Sequence, residues 1–320
     1  MIYNIMININ NAYVQHCCVM LCSLFENNRN QEFHIHIFTF DISKENQDLL
    51  KHFIEKYNNK ITFYIPSLLN NIKFPNVENN YVSKEAYLRL FAPLYLDRSI
   101  KKILYLDVDL LVLRNIDELY HIDLKDKLIA AIEDYPLTGR NERLEIPKNY
   151  SYFNTGVMLI NLTLWHQYKI SEQSLEILAQ NKIMLLQHDQ DILNILSYNK
   201  WIRLPFKWNI LDIFFFDYSP YKENYKKEII NSLNGDIGIM HFAGPIKPWT
   251  AWTPNPYYKD YYRFLAKTPW KGYKPPIKSQ WEAYPFPRNL MTILKIDRIL
   301  VPLKKVIKDT LNKFNHQEHC

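Results

Sequence analysis

The sequence predicts an α/β fold with a mostly parallel sheet and helices packed on its faces. Three apolar stretches, at 2–9, 34–40 and 61–65, have the length and composition of buried strands. Two stretches between them, at 14–25 and 43–57, carry apolar residues at helical spacing. This alternating order makes the strands parallel and the helices crossovers. With 320 residues, of which 48% are hydrophobic, the chain can bury the core of one large domain.

The rest of the chain continues the alternation in weaker form. A polar, Asn-rich stretch at 66–82 indicates a loop. The further predicted strands lie at 102–106, 128–132, 157–161 and 237–241, and the further predicted helices at 83–96, 163–180 and 189–198. Proline becomes frequent after residue 245, which predicts that the compact domain ends near residue 265. The predicted organisation is therefore a domain at 1–265 and a C-terminal segment at 266–320.

Several classes of site are disfavoured because their motifs are missing from the sequence. It contains neither G-x-G-x-x-G nor G-x-x-x-x-G-K-[ST], which argues against a Rossmann dinucleotide site and a P-loop. The four cysteines have no C-x-x-C spacing, so neither a zinc site nor a disulfide framework is expected. We see no signal peptide and no uncharged apolar run of about 18 residues, and therefore expect a cytoplasmic protein. The chain has six glycines, so each is expected to hold a special backbone position.

An acidic pair follows one of the predicted strands. Asp107 and Asp109 come directly after the apolar run at 102–106. In open parallel sheets, ligands bind outside the carboxyl ends of the strands. Two carboxylates at that position can bind a hard divalent cation, which in turn can bridge the phosphates of a diphosphate. Because a bare D-x-D recurs by chance, the pair by itself favours a solvated acidic turn over a metal site.

A second enzyme class uses a similar string of residues. Phosphatases of the haloacid dehalogenase type have an apolar strand followed by D-x-D-x-[TV], and the first Asp is the nucleophile. Here the fifth position is Leu111, and the motif follows three earlier strands instead of the first. Both differences disfavour the phosphatase interpretation.

Six motifs occur in a set order between residues 2 and 250. They are NINNAY near the start, YLRL at 87–90, LYLDVDLLV at 104–112, FNTGVMLINL at 153–162, QHDQDILN at 187–194 and HFAGPIKPW at 241–249. In this order they resemble glycosyltransferase family 8, whose members are retaining sugar transferases of the GT-A fold that use UDP-sugars and Mn²⁺. The resemblance implies a GT-A fold here, Rossmann-like, with a mostly parallel sheet and flanking helices; the basic aromatic C-terminal tail lies beyond the matched residues.

The resemblance implies a metal centre beside a diphosphate site. Asp107, Asp109 and His241 would bind Mn²⁺, or Mg²⁺ in its place, and diphosphate oxygens would complete the shell. Gly244 would let the backbone approach phosphate closely. Lys247 would meet the diphosphate as a point charge.

The resemblance also implies a nucleoside site at the end of the first strand. Tyr13 matches a Tyr that stacks on uracil, and Val108 and Arg89 match residues that contact the nucleotide sugar. Asn10 stands where the family more often has Asp, although an amide can still pair with the imide edge of uracil. Ala12 replaces a frequent Asn, which removes one ribose contact.

A donor-sugar pocket is implied at four further positions. Asp134, Asn154, Asp189 and Gln190 match it, with Asp189 orienting the sugar hydroxyls and Gln190 near the anomeric carbon. Because an amide is a poor nucleophile, front-face substitution is favoured over a covalent glycosyl-enzyme. Catalysis would then consist mainly of positioning and electrostatic stabilisation.

The basic character of the chain is concentrated near its end. Residues 259–320 contain 13 Lys+Arg against 5 Asp+Glu. Apolar residues recur at roughly helical spacing over 288–314, with Pro302 expected to kink the helix. Aromatic residues suited to a headgroup boundary lie upstream at Trp270, Tyr273, Trp281, Tyr284 and Phe286. These features predict a peripheral anchor on an anionic membrane surface, at the inner face of the cytoplasmic membrane. The alternatives are packing on the domain or a homodimer contact; no nucleic-acid motif is present.

The sequence as a whole favours a retaining hexosyltransferase. It would move galactose or glucose from a UDP-hexose to an oligosaccharide or lipid-linked glycan acceptor, in the synthesis of lipopolysaccharide or another cell-surface polysaccharide. The alternative is a non-catalytic protein on the same fold that binds nucleotide sugars or glycans. The intact Asp107, Asp109, His241, Asp189 and Gln190 disfavour that alternative.

Overall fold

The chain begins with three parallel strands joined by two helices, as its apolar spacing predicts. The computed structural model describes residues 1–75, 83–244, 247–249 and 255–274. Strand β1 (Ile2–Asn8), helix α1 (Val14–Asn27), strand β2 (Glu32–Phe38), helix α2 (Lys44–Glu55) and strand β3 (Lys60–Tyr64) follow one another. The side chain of Ser43 caps α2 by accepting a hydrogen bond from the Asn46 backbone amide. Helix α1 is buried on nearly every side, which explains its run of Cys, Val, Met, Leu and Phe.

The elements that follow are shorter. The strands are β4 (Lys102–Leu106), β5 (Leu110–Val112), β6 (Ile129–Ala131), β7 (Val157–Asn161), β8 (Trp201–Arg203), β9 (Ile210–Leu211) and β10 (Ile239–His241). The helices are α3 (Leu88–Phe91), α4 (Asp117–Tyr120), α5 (Arg140–Arg143), α6 (Leu162–Gln167), α7 (Ile170–Gln180), α8 (His188–Ser197), α9 (Glu223–Leu233) and α10 (Tyr258–Leu265). Short 3-10 helices at 11–13, 67–69, 84–87, 92–94, 206–208 and 212–215 connect them.

The described strands form two sheets. The larger has the order β3-β2-β1-β4-β7-β6-β8, and β7 alone runs antiparallel to its neighbours β4 and β6. The predicted mostly parallel sheet with flanking helices is therefore confirmed. In the smaller sheet, β10 lies between β5 and β9. Since β10 pairs antiparallel with β5, His241 at its end is brought opposite Leu110, one residue from Asp109.

Two predicted helices are interrupted in the structure. The prediction of one helix at 83–96 is wrong, since this stretch forms two 3-10 helices on either side of α3. Pro93 has no backbone N–H to continue an α-helical ladder, which accounts for the later break. The single helix predicted at 163–180 is divided into α6 and α7 at Lys169, which adopts a left-handed conformation with φ of 50°.

Packing continues beyond α10. Lys267 forms an ion pair with Glu26, and Thr268 is buried. Trp270 and Tyr273 pack against the core that surrounds α1. The boundary near 265 stays a prediction, and the amphipathic segment at 288–314 lies outside the described residues. In the part of the chain that the structure describes, no helix is long and apolar enough to cross a membrane.

Candidate metal centre and active site

Asp107, Asp109 and His241 converge at the carboxyl end of β4. The turn between β4 and β5 carries both carboxylates, and the end of β10 carries the imidazole. The Nε2 atom of His241 lies 3.2 Å from an oxygen of Asp109 and 3.8 Å from an oxygen of Asp107. One ligand atom from each of the three residues can be chosen so that all lie within 4.8 Å of one another. The sequence prediction that these three residues come together is confirmed.

Two asparagines fix the orientation of His241. Its Nδ1 lies 2.9 Å from the Oδ1 of Asn209, whose own amide donates to Asn154 at 2.8 Å. Because the oxygen of Asn209 faces the ring, Nδ1 carries the proton and donates it. Nε2 is then directed at the two carboxylates, as a metal ligand requires. Burial lowers the pKa of His241, but the charge and hydrogen bond of Asp109 outweigh this and raise the pKa above its ordinary value.

Gly156 makes room for the same imidazole. A Cβ at this position would lie 2.2 Å from the Cε1 of His241 and 3.0 Å from an Asp107 oxygen. Any larger residue would therefore displace a candidate ligand. The glycine also accepts a hydrogen bond from the Asp107 backbone amide at 2.9 Å through its carbonyl oxygen.

Two cations flank the acidic pair. Lys247 is buried and forms an ion pair with Asp109 and a hydrogen bond with the Phe242 carbonyl oxygen. Burial lowers the pKa of Lys247, but Asp109 outweighs this and raises it. Arg89 is buried on the other side, where it lies 2.9 Å from Asp107 and 2.9 Å from Asp189. The two cations neutralise charge that would otherwise make this cluster of carboxylates repel itself.

The four residues predicted to form the sugar pocket belong to one hydrogen-bonded network. Asp134 accepts from Asn154 at 3.1 Å and from Gln190 at 3.3 Å. The oxygen of Gln190 accepts from the Thr155 backbone amide at 2.9 Å. Arg89 pairs with both Asp189 and Asp107 and donates to the Thr155 carbonyl oxygen, and so connects Asp189 and the acidic pair to this network. Burial raises the pKa of Asp189 to about 7, although the charge of Arg89 opposes that rise.

The nucleoside residues lie at the start of α1. The oxygen of Asn10 accepts from the Tyr13 backbone amide at 3.2 Å and so caps the short 3-10 helix at 11–13. Trp249 lies edge-on to the Tyr13 ring at 6.2 Å and stacks on His16 at 3.7 Å. These contacts hold the segment that carries Lys247 against the beginning of α1.

Three further residues of the site were not found from the sequence. Asn209 and Asp212 are polar residues with no motif, and their position beside His241 and Lys247 arises only from the pairing of β9 with β10. For Gly156 a signal existed, since glycine is scarce in this chain.

Two other predicted residues differ in what the structure shows. A Cβ at Gly244 would meet no heavy atom of the described structure within 4 Å, so the predicted role of Gly244 toward phosphate stays a prediction. Val108 is largely buried between the two aspartates.

The chain matches one family model and several known proteins. Residues 4–253 match the model of glycosyl transferase family 8. The chain is 30% identical to general stress protein A of Bacillus subtilis over 84% of its own length and 94% of that protein. It is 29% identical to a lipopolysaccharide 1,2-glucosyltransferase of Escherichia coli over 86% of its length and 82% of that enzyme. It is 27% identical to a lipopolysaccharide 1,3-galactosyltransferase of Salmonella typhimurium, over 84% and 79%.

The fold has a counterpart among solved structures. A structure of the galactosyltransferase LgtC, in complex with donor and acceptor sugar analogs, superposes with a TM-score of 0.73. The two chains are 23% identical, and the match covers 88% of this chain and 99% of LgtC. This likeness supports the GT-A fold predicted from the sequence.

Proposed function

The chain belongs to glycosyl transferase family 8, and from that premise we propose that it transfers a hexose from a UDP-sugar to a glycan acceptor with retention of configuration. The observation that carries the proposal is the convergence of Asp107, Asp109 and His241 beside the buried Lys247. Two carboxylates, an imidazole and a cation at the ends of strands suit a diphosphate bound through a divalent ion.

The three clustered side chains fit Mn²⁺, with Mg²⁺ as the alternative. Carboxylate oxygens are the ligands that both ions prefer, and an imidazole favours Mn²⁺ over Mg²⁺. The Nε2 atom of His241 is available as a ligand because Nδ1 donates to Asn209. When bound, the ion would neutralise charge on the diphosphate as it departs.

The other residues of the site would bind and orient the donor. Lys247 would exchange its contact with Asp109 for one with the diphosphate. Asp189 would accept hydrogen bonds from hexose hydroxyls, since its ion pair with Arg89 fixes the position of its carboxylate. Tyr13 would stack on the base, and Asn10 would offer its NH₂ group to the base because its oxygen already accepts from Tyr13.

The arrangement of Gln190 favours front-face substitution. Its oxygen accepts from the Thr155 backbone amide, and its NH₂ group donates to Asp134. Both ends of the amide are therefore engaged, and an amide is a weak nucleophile in any case. We propose that the bond from the anomeric carbon to the diphosphate breaks as the acceptor oxygen approaches on the same face. The departing phosphate oxygen takes the acceptor's proton.

The acceptor we propose is an oligosaccharide or lipid-linked glycan of lipopolysaccharide or another surface polysaccharide. Two relatives of the chain are named as lipopolysaccharide hexosyltransferases, one for glucose and one for galactose. The donor is accordingly UDP-glucose or UDP-galactose.

The test is a donor assay with and without metal. Purified protein should hydrolyse UDP-glucose or UDP-galactose slowly in the presence of Mn²⁺ and lose that activity in EDTA. With an acceptor, the anomeric proton of the product should report an α-linkage by NMR. Binding of UDP-sugar with no hydrolysis or transfer would favour the alternative of a non-catalytic binding protein. A β-linked product would contradict front-face substitution.

We further propose that the C-terminal segment binds an anionic membrane surface. The part of this segment that lies beyond the described residues, 275–320, contains 8 Lys+Arg against 4 Asp+Glu. It also includes the apolar residues at helical spacing over 288–314. Each cation near an anionic surface contributes about 1 kcal/mol, and salt screens the attraction. A chain that ends at Lys274 keeps the contacts of Trp270 and Tyr273 with the core. It should therefore retain donor hydrolysis but sediment less with anionic vesicles at low salt; equal sedimentation would contradict the proposal.

A further inference from the structure

Asn8, the last residue of β1, is a buried amide without a hydrogen-bond partner. Its side chain belongs to a residue that is 8% exposed, and neither Oδ1 nor Nδ2 has a partner among the described residues. Leaving both ends of an amide unpaired in the interior is costly, and native structures rarely do so without a reason. The chain could have avoided this cost with an apolar residue, as it does at the buried Met6.

The strand register brings Asn8 to the candidate metal centre. Side chains alternate along a strand, so Asn8 lies on the same face as Met6. Met6 pairs with Tyr105 on the neighbouring parallel strand β4. The printed pairing ends there, and continuing its register by two residues along each strand would bring Asn8 level with Asp107, the first residue after β4. The Tyr105 hydroxyl itself donates to Asp107 at 2.6 Å.

Asn4 provides the contrast on the same strand and the same face. Its side-chain oxygen lies 3.0 Å from the Nε2 of His36. This amide lies far from the end of the strand and has a protein partner. The unpaired amide is the one at the end of β1 that leads to the site.

We propose that Asn8 is a specificity-determining residue that binds hydroxyl groups of the nucleotide-sugar donor. A carboxamide offers both a donor and an acceptor, and its complement is a hydroxyl or a pair of neighbouring hydroxyls. A donor whose diphosphate lies at Asp107 and Asp109 carries such hydroxyls on both sides, on its ribose and on its hexose. This inference rests on the proposed function and adds a residue to its binding site.

The experiment replaces Asn8 with an apolar residue of the same branching. Calorimetric titration with UDP, UDP-glucose and UDP-galactose, all with saturating Mn²⁺, would compare the wild type with Asn8→Leu. Affinity for the preferred UDP-hexose should fall about tenfold, the effect of one or two lost hydrogen bonds. The melting temperature without ligand should rise on the order of 2 °C, because two unpaired buried polar atoms are removed. Asn8→Ser, which supplies a hydroxyl able to donate and to accept a hydrogen bond, should regain part of the affinity.

Asn4→Leu is the matched control. It removes a paired amide from the same face of β1, so it should lower the melting temperature and leave donor affinity unchanged. An equal loss of affinity for UDP and UDP-hexose in Asn8→Leu would assign Asn8 to the ribose. A loss confined to UDP-hexose would assign it to the hexose.

Unchanged affinity for all three ligands in Asn8→Leu would overturn the inference, whatever the melting temperature does. A loss of affinity in Asn8→Leu that Asn4→Leu reproduces would also overturn it, because the effect would then belong to the strand. If the wild type itself binds no UDP or UDP-hexose, the proposed function fails instead.

Discussion

Two buried regions of this protein differ in what they bury. The apolar interior surrounds α1 and reaches Trp208, and in it aliphatic, aromatic and thiol side chains pack together. The polar interior lies at the strand ends and buries charged and amide groups in contact with one another. Its buried members are Asn154, Asp189, Gln190, Asn209 and His241, together with Arg89 and Lys247, and the partly buried Asp134 joins them.

The apolar interior is expected to stabilise the fold, and the polar interior is expected to bind metal and donor. Burial of apolar surface favours folding, at roughly 25 cal/mol per Å². Burial of amides and charges does so weakly at best, since their desolvation offsets much of the pairing energy. We infer that this network holds groups in position for a ligand. Substitutions in the apolar interior should therefore affect folding, and those in the polar interior should affect metal and donor binding.

Two glycines give the sharpest form of this comparison. A Cβ at Gly156 would collide with His241, whereas a Cβ at Gly238 would lie 2.6 Å from the ring of Trp208. Gly156→Ala should weaken Mn²⁺ binding on the order of 10- to 100-fold, because the imidazole must move. Gly238→Ala should keep metal affinity and lower the free energy of unfolding by about 1–3 kcal/mol. Calorimetric Mn²⁺ titration with UDP present and urea unfolding measure the two effects.

The distinction between the two interiors would be contradicted if both glycine variants lost stability equally and bound metal equally well. The polar interior would then be an ordinary part of the core, and Gly156 would serve packing alone.

Two arginines test whether geometry or charge matters in the polar interior. Arg89 connects Asp107 to Asp189 and lies over the Tyr105 ring, while Arg203 pairs with Glu228 where both are partly exposed. Lysine keeps the charge but cannot bridge two carboxylates through a planar fork. Arg89→Lys should lower donor hydrolysis about tenfold, and Arg203→Lys should leave it unchanged. Steady-state kinetics of donor hydrolysis by both variants measure this difference. Equal rates for the two variants would contradict a positioning role for Arg89.

His16 lies between the two regions and gives the smallest expected effect. Burial lowers its pKa from 6.5 to about 3, and its ring stacks on Trp249. Between those two pH values the unfolded chain binds a proton that the folded chain does not. The free energy of unfolding should therefore decrease as the pH falls from 6.5, with His16 contributing on the order of 1–2 kcal/mol by pH 5.

His16→Phe keeps a ring against Trp249 and removes the titration. Urea unfolding of both proteins at pH 7.5 and pH 5 should show a smaller pH-dependent loss for the variant. His36, whose pKa is also lowered to about 3 by burial, remains in both proteins and cancels in the comparison. An identical loss in the two proteins would mean that His16 is accessible to solvent protons when folded.

The apolar interior was the easier region to predict from the sequence. Strands at 2–9 and 102–106 and the helix at 14–25 follow from spacing alone, because burial of one face imposes a period. The metal cluster was predicted through its motifs and its place after a strand. The break in the helix at 83–96 was not predicted. Pro93 interrupts the helix because it lacks a backbone N–H, and the spacing of apolar residues does not register that.

The polar interior was predicted only in part. Asp134, Asn154, Asp189 and Gln190 were expected in one pocket. The structure joins three of them by hydrogen bonds and connects Asp189 to them through Arg89 and Thr155. Asn209 was missed because an isolated asparagine carries no signal until β9 pairs with β10. The unpaired state of Asn8 is likewise invisible in a sequence, where it looks like one more polar residue at the end of a strand.

We propose that Asp107, Asp109 and His241 form a metal centre for a UDP-hexose. Mn²⁺-stimulated hydrolysis of UDP-glucose and UDP-galactose by wild type, Asp109→Asn and Asp236→Asn tests it most directly. Asp236 is a matched acid that pairs with Arg114 on the surface. Asp109→Asn should lose on the order of 10²-fold or more of the activity, because it removes a charged ligand while keeping its shape. Asp236→Asn should match the wild type. Full activity of Asp109→Asn, or of the wild type in EDTA, would contradict the claim.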